Sequence, residues 1–243
     1  MKPTFAEIVR RRRAVRVYDA AHGVDAATVR DCIELATLAP NSTNLQLWSF
    51  CHVVSAEKLD ALAEACFRQN AAKTAQQMVV FVVRRDLWRT RAAWNLSAVS
   101  ALLRGQNHER SETRIRQAKN YFTRLIPFVY VDVFGVLGML KKGLANIIGL
   151  FRPVYRQLSA ADTRIMAHKS CALAAQTFML AMSAEGYDTC PLEGFDSRRV
   201  QKILQLPRGS EINMIVSCGV RDEEKGVYFE RHRVPFDEVY TQV

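Results

Sequence analysis

Cys190-Pro191-Leu192-Glu193-Gly194-Phe195-Asp196 decides the fold, because the longest helical pattern in the chain runs directly into it. That pattern, from about 162 to 185, carries Ile165, Met166, Ala172, Leu173, Phe178, Met179, Leu180 and Met182 nearly all the way round, as a helix enclosed by protein does. Such a helix is a rigid platform. Gly186 supplies a stop, 187–190 reads as a short strand, and Pro191 removes a backbone donor just ahead of a Glu-Gly pair able to turn its amides outward. A flat, electron-accepting ligand can lie on such amides. The plain alternative is a strand-to-helix turn in which Asp196 or Ser197 caps the next helix.

Toward the C-terminus, 196–204 reads as a helix ended by Pro207 and Gly209, and 212–220 as a second buried strand. Beyond Arg221 the tail is charged and extended through Val227-Tyr228-Phe229-Glu230-Arg231-His232-Arg233-Val234-Pro235. A tail of this kind gains stability by pairing with a sheet edge in a partner subunit. Toward the N-terminus, Thr4-Phe5-Ala6-Glu7 fits a capping box, which predicts a first helix carrying Ile8 and Val9 into the core. Asp25 is placed to cap a second helix through Val29, Ile33, Leu35 and Leu38 that stops before Pro40. The polar turn Asn41-Ser42-Thr43-Asn44 leads into 48–54, a run of strand composition. Ser55 is expected to cap a helix reaching about Gln69, and 78–83 is the unbroken apolar run of a buried central strand.

Residues 86–160 carry the weakest pattern. Trp88 and Trp94 lie in a helical stretch, a charged helix follows from about Glu109 to Arg124, and 125–140 is strongly apolar. With Pro127 and Asp132 inside it, that run of sixteen residues is too short and too polar to cross a bilayer. A helical lid or an intersubunit surface is the expectation. The alternative is a monotopic membrane contact across 125–151, with Phe128, Tyr130, Phe134 and Phe151 in the interface and Lys141, Lys142 and Arg152 meeting anionic lipid.

At 243 residues and 49% hydrophobic content the chain can bury a full core as a single domain, 1–243, with the helical insertion at about 86–160. Six cysteines without a C-x-x-C read as reduced core thiols, and the five histidines show no ligand spacing, so no metal is expected. The net charge of +10 is carried mostly by arginine, which favours bidentate contacts with anions. No helix-turn-helix, zinc finger or aromatic RNA-binding motif accompanies it, so no nucleic-acid partner is expected. The basic stretch 10–13 is followed by no apolar run of the secretory kind, and the expected location is the cytoplasm.

Three basic or polar clusters lie far apart in sequence: Arg12-Arg13-Ala14-Val15-Arg16, Asn70-Ala71-Ala72-Lys73 and Arg231-His232-Arg233. Together with 39–48 and the Pro191 turn they resemble, in order and over nearly the whole chain, the nitroreductase family of FMN-dependent oxidoreductases. The family's R-[RH]-S-x-[RK] resembles Arg12, Arg13 and Arg16, with Ala14 in place of the usual Ser. Its A-P-S-x-x-N-x-Q-P-W is similar to Ala39, Pro40, Asn41, Ser42, Thr43, Asn44, Leu45, Gln46, Leu47 and Trp48, with Asn41 for Ser and Leu47 for Pro. Asn70 and Lys73 resemble an N-x-x-K pair facing the flavin ring and ribityl chain. Arg231 and Arg233 resemble a basic pair on the phosphate. Pro191, Leu192, Glu193 and Gly194 resemble the P-[IL]-E-G turn whose amides face flavin N5 and O4.

The resemblance implies an α+β, three-layer α/β/α fold with a central mixed or antiparallel sheet, and a homodimer that exchanges its C-terminal tails. The 41–46 turn would then touch flavin bound mainly by the other subunit. It implies FMN as cofactor, NADH or NADPH as co-substrate, and ping-pong transfer of a hydride through flavin N5 to a nitroaromatic, quinone or similar small acceptor. A flavin phosphate carries about two negative charges near neutral pH, which suits several arginines in fork geometry. Reduction places negative charge at the N1 and C2 carbonyl edge, where Arg16 or Lys73 would stabilise it. Amides of Glu193 or Gly194 would bond to N5 and leave the redox chemistry to the cofactor. Tyr121, Phe122 and Phe128 are candidate stacking residues for the acceptor, with core packing as their alternative. Two other classes stay open: a flavin-binding protein without turnover, and a membrane-surface interaction protein that has kept the fold.

Overall fold

The computed structural model describes residues 3–105, 111–133 and 135–243. His108, the expected helix start at Glu109, and Phe134 lie outside the described residues. The first half of the chain runs α1 (Phe5–Arg11), α2 (Ala26–Ala36), β1 (Trp48–Val53), α3 (Ala56–Ala65), α4 (Asn70–Lys73) and β2 (Gln77–Val83). A helical stretch follows, with α5 (Trp88–Gly105), α6 (Ser111–Asn120), α7 (Ile126–Tyr130) and α8 (Val136–Ile148). The chain then completes the core with α9 (Ala160–Ala184), β3 (Asp188–Leu192), α10 (Ser197–Ile203) and β4 (Glu211–Gly219).

The four strands form one sheet in the order β1-β2-β4-β3, with every neighbouring pair antiparallel. The expectation left room for a mixed sheet; the sole parallel pairing among the described residues is an isolated bridge between Ala14 and Thr189. Strand β2 explains the layers. Its residues are buried on both faces, and successive side chains point to opposite sides. Val79, Phe81 and Val83 pack with α2 and α9, through Val29, Cys32, Ala167, Cys171, Ala174 and Phe178. Met78, Val80 and Val82 pack with α3, α4 and α10, through Leu62, Ala63, Ala71 and Val200. Truncating Phe81 to Ala would cost about 3–5 kcal/mol, because it is fully buried between the sheet and the helices α2 and α9.

α9 seats closely because its sheet-facing side is lined by small residues, Ala167, Ser170, Cys171, Ala174 and Ala175. A Ser159–Asp162 capping box starts it, and Gly186 ends it at φ +90°, a conformation costly for any residue with a Cβ. The helix is not enclosed all round: Ile165 and Leu173 stand on its outer side, each about half exposed in the single chain. Nor does α1 enter the core. Its capping box forms, but none of its residues is buried and Val9 is exposed, because α1 lies on the outer layer against α9. Ser55 precedes α3 without a side-chain hydrogen bond, and the helix stops at Ala65, where Phe67 and Arg68 turn left-handed. The charged helix expected through Arg124 yields after Asn120 to a wider π-helical turn, Tyr121–Leu125.

The helical stretch has a small core of its own, in which Leu45, Leu47, Ala92 and Ile126 pack with Trp88, Tyr121, Phe122 and Tyr130. Trp88 and Tyr130 stack with ring centres 5.8 Å apart. Gly138 lets α8 approach the start of α9, since a Cβ there would stand 3.1 Å from the backbone of Ser159 and Ala160. Among the described residues no helix is long and apolar enough to cross a membrane.

Candidate functional site

Residues 12–19 cross the end of the sheet and bring the two ends of the chain together. Val15 N–H donates to the Thr189 carbonyl at 3.2 Å, and Arg16 N–H to the Gly226 carbonyl at 2.7 Å. Val15 and Tyr18 point inward, where the Tyr18 hydroxyl donates to the Ser217 carbonyl at 3.0 Å. The same segment leaves Arg12, Arg13 and Arg16 on the side where the tail returns. Arg13 Nη2 donates to the Phe229 carbonyl at 2.6 Å, while Arg231 donates to the carbonyls of Val9, Arg10 and Arg12.

A cavity of about 510 Å³ results, lined by Arg12, Arg13, Arg16, Arg231 and Arg233 together with Tyr228 and Phe229 and one carboxylate, Glu230. Backbone carbonyls orient the guanidiniums of Arg13, Arg231 and Arg233 without cancelling their charge, and among the described residues none of the five arginines is ion-paired with a carboxylate. Burial, and then the positive charges of Arg231 and Arg233, lower the pKa of Arg12 below its ordinary value. Burial, Arg13 and Arg233 do the same to Arg231. Arginines remain charged under any such shift, so the cluster repels itself and an oxyanion would relieve it.

Two further sequence candidates, Asn70 and Gly194, lie outside the cavity lining and connect to it by way of α4. Asn70 Nδ2 donates to the Tyr228 hydroxyl at 2.7 Å, which ties α4 to the cavity wall. Gln69 Nε2 donates to the Gly194 carbonyl at 2.8 Å, so the loop ahead of α4 rests on the turn after β3. Glu193 and Gly194 are exposed, and their N–H groups donate to no partner among the described residues. Pro191 and Leu192 belong to β3 itself, opposite Val216 and Ile215. Asp196 caps α10 through the amides of Arg198 and Arg199, so the plain reading of the turn holds. Lys73 is exposed and does not line the arginine cavity.

The 41–46 turn forms a second centre. Pro40, Asn41, Ser42, Asn44 and Gln46 are absent from the arginine cavity. Of six non-glycine residues in left-handed backbone among the described residues, three are here: Thr43, Asn44 and Gln46. Such residues cost of order 1–3 kcal/mol each and persist where the surroundings fix them. The support is visible. Asn44 Nδ2 donates to Asn95 Oδ1 at 3.0 Å, and Asn95 Nδ2 returns to the Asn44 carbonyl at 2.8 Å. Ser42 N–H donates to Ser170 Oγ at 3.1 Å, and Gln46 N–H to Asn41 Oδ1 at 2.8 Å. An apolar cavity of about 360 Å³ opens beside the turn, between Ser42, Thr43, Tyr121, Leu125, Ile126, Val129, Tyr130, Tyr155 and Met166. Of the candidate acceptor aromatics, Tyr121 lines it, Phe122 packs in the local core and Phe128 lines a neighbouring pocket.

Asn95 and Tyr228 escape sequence reasoning. Asn95 is a polar residue buried on the inner side of α5, and its helix pattern alone does not show which polar position turns inward. Tyr228 sits in an extended tail that Arg13 and Arg231 anchor, and its bond to Asn70 joins residues far apart in sequence.

The model of the Nitroreductase family matches residues 9–220. Protein DrgA of Synechocystis is 26% identical over 220 residues, covering 90% of this chain and 84% of that one. A protein named NADH dehydrogenase, from Thermus thermophilus, is 25% identical over 229 residues, covering 94% and 91%. Among solved structures, a protein from Exiguobacterium sibiricum assigned as a nitroreductase, in complex with FMN, superposes with a TM-score of 0.70 at 21% identity. That superposition covers 100% of this chain and 99% of the other.

Proposed function

Because the chain belongs to the nitroreductase family, we propose that it is an FMN-dependent NAD(P)H oxidoreductase whose arginine cavity holds the flavin phosphate. One observation carries the reading: five arginines, none of them ion-paired among the described residues, converge from opposite ends of the chain on one cavity whose lining holds a single carboxylate, Glu230. A phosphate monoester is the anion whose charge and geometry suit such a set. When bound, FMN supplies the redox chemistry, accepting a hydride at N5 from NADH or NADPH and passing it to a nitroaromatic, quinone or similar acceptor in alternating half-reactions.

The chain's own groups have separate tasks in this reading. Arg12, Arg13, Arg231 and Arg233 hold the phosphate. Asn70, kept in place by Tyr228, orients the ribityl chain. The unbonded amides of Glu193 and Gly194 donate to the ring edge at N5 and O4, where a backbone N–H holds geometry without exchanging protons with the reacting centre. Arg16, or Lys73, faces the edge on which negative charge gathers. The strained 41–46 turn presents Asn41, Ser42, Asn44 and Gln46 to a flavin held by the other subunit, since they do not reach this chain's own arginine cavity.

A homodimer is therefore part of the proposal. In the single chain Phe5 of α1, Leu35 of α2, Leu38 just after it, and Ile165 and Leu173 of α9 present exposed apolar side chains. The tail after Arg233 is exposed throughout and forms no strand, as expected of a segment that pairs with a second subunit. The helical stretch over 86–160 acts as a lid that forms part of the acceptor pocket. All six cysteines are free thiols, which fits the cytoplasm.

Rapid mixing under anaerobic conditions tests the cycle. NADH or NADPH should bleach the bound flavin, and a quinone added afterwards should restore its colour. A bound flavin that neither nicotinamide reduces would sink the oxidoreductase reading and leave a binding protein.

A further inference from the structure

α8 is built inside out. Gly138, Lys141 and Ala145 form its buried side, where Lys141 Nζ donates to the carbonyls of Phe128 and Val131, both at 2.6 Å. The opposite side, which a globular protein ordinarily fills with charge, carries Val136, Met139, Leu140, Leu144, Ile147 and Leu150, each more than half exposed. Phe151 continues this side at 86% exposure, and exposed Leu125 and Phe128 border it across the pocket that Leu144 shares with them. Contiguous apolar surface of this extent marks a contact site.

The charge around it selects the partner. Residues 113–161 contain eight lysines and arginines and one acidic residue, Asp132, and so supply seven of the chain's ten net positive charges. Lys142 is paired with Asp162 at 3.0 Å, whereas Arg124 and Arg152 are exposed and pair with no carboxylate among the described residues. A twofold contact between copies through this face would set like charges against each other. An acyl interior ringed by anionic headgroups matches both features, with apolar side chains below and arginines at headgroup level.

We infer that the outer face of α8, with Phe151 and the adjoining Leu125 and Phe128, docks the protein on an anionic lipid bilayer without crossing it. This revises the membrane alternative open in the sequence. Tyr130 is half-buried against Trp88 and Lys141 is buried, so neither reaches the interface, while Leu140, Leu144 and Ile147 do. The inference stands apart from the phosphate site, because no residue of this face lines the arginine cavity, and of the face only Leu125 also lines the apolar cavity beside the 41–46 turn.

The test is co-sedimentation of the full chain with two kinds of vesicle, pure phosphatidylcholine and phosphatidylcholine mixed with phosphatidylglycerol. The protein should pellet with the mixed vesicles and stay in solution with the neutral ones. Arg124→Gln with Arg152→Gln should weaken partitioning roughly 10- to 30-fold, as expected for two basic residues near a charged surface. Leu140→Glu with Ile147→Glu should abolish it while leaving the circular dichroism spectrum and the sedimentation coefficient in buffer unchanged. Three results would overturn the inference: no pelleting with either vesicle, equal pelleting of the Glu variant, or a Glu variant that changes oligomeric state, which would assign the face to a second copy.

Discussion

Around Arg12 and Arg231 the chain gathers five arginines, none ion-paired among the described residues and with Glu230 as the one carboxylate in their cavity lining, whereas around Asn44 it gathers three left-handed residues and braces the turn with hydrogen bonds to Asn95, Ser170 and Asn41. The first centre is charge waiting for a counter-charge. The second is strain already offset by its neighbours. One protein thus shapes two regions by opposite means. A ligand should stabilise the arginine cavity strongly and the turn only slightly, while a mutation behind the turn should weaken the empty protein and one in the cavity should not.

The widest separation is expected from Arg231→Ala combined with Arg233→Ala. Two charge-assisted contacts at about 1.5–3 kcal/mol each amount to a loss of about 100-fold or more in FMN affinity, measured by fluorescence titration. Unchanged flavin affinity would remove the cavity from the phosphate role. Behind the turn, Asn95→Ala strips both bonds from Asn44 and should cost the empty protein about 2 kcal/mol in chemical denaturation. A neutral Asn95→Ala would mean that the turn holds its shape unaided.

Smaller effects sharpen the same contrast. Arg16→Ala should slow reduction by NAD(P)H about tenfold, as for loss of one electrostatic stabiliser, and change FMN affinity less. An unaltered reductive half-reaction would shift that role to Lys73. Acid separates the two centres further, because the turn rests on α9, whose N-terminus depends on Asp162. Hydrogen bonds from Ser159 and Lys142 hold the Asp162 carboxyl down to about 2. Its folded value lies below the unfolded one of about 3.9, so its stabilisation is present above about pH 4 and is lost as pH falls toward 2. Asp162→Asn should flatten that limb of the stability profile, while the arginines stay charged throughout.

The framework was readable because its signals are local. The Thr4 and Asp25 caps, the Gly186 stop and the unbroken apolar run of β2 each depend on a few adjacent residues, and each appears where the pattern puts it. The convergence of Arg12 to Arg16 on Arg231 and Arg233 is a long-range event, but both clusters keep a repeated residue type that marks them in sequence. Asn95 has no such mark, since which polar residue a helix turns inward depends on packing partners distant in sequence. The outer sides of α1 and α9 misled for a related reason. Their apolar residues predict burial, and the single chain offers them no surface to bury against.

The visible spectrum of the purified protein, with mass spectrometry of whatever heat releases, tests the central claim most directly. Flavin absorption and a released mass equal to FMN, at about one per chain, are expected if the arginine cavity is a phosphate site. A colourless protein that remains colourless after incubation with FMN would contradict the account and assign the arginines to another anion.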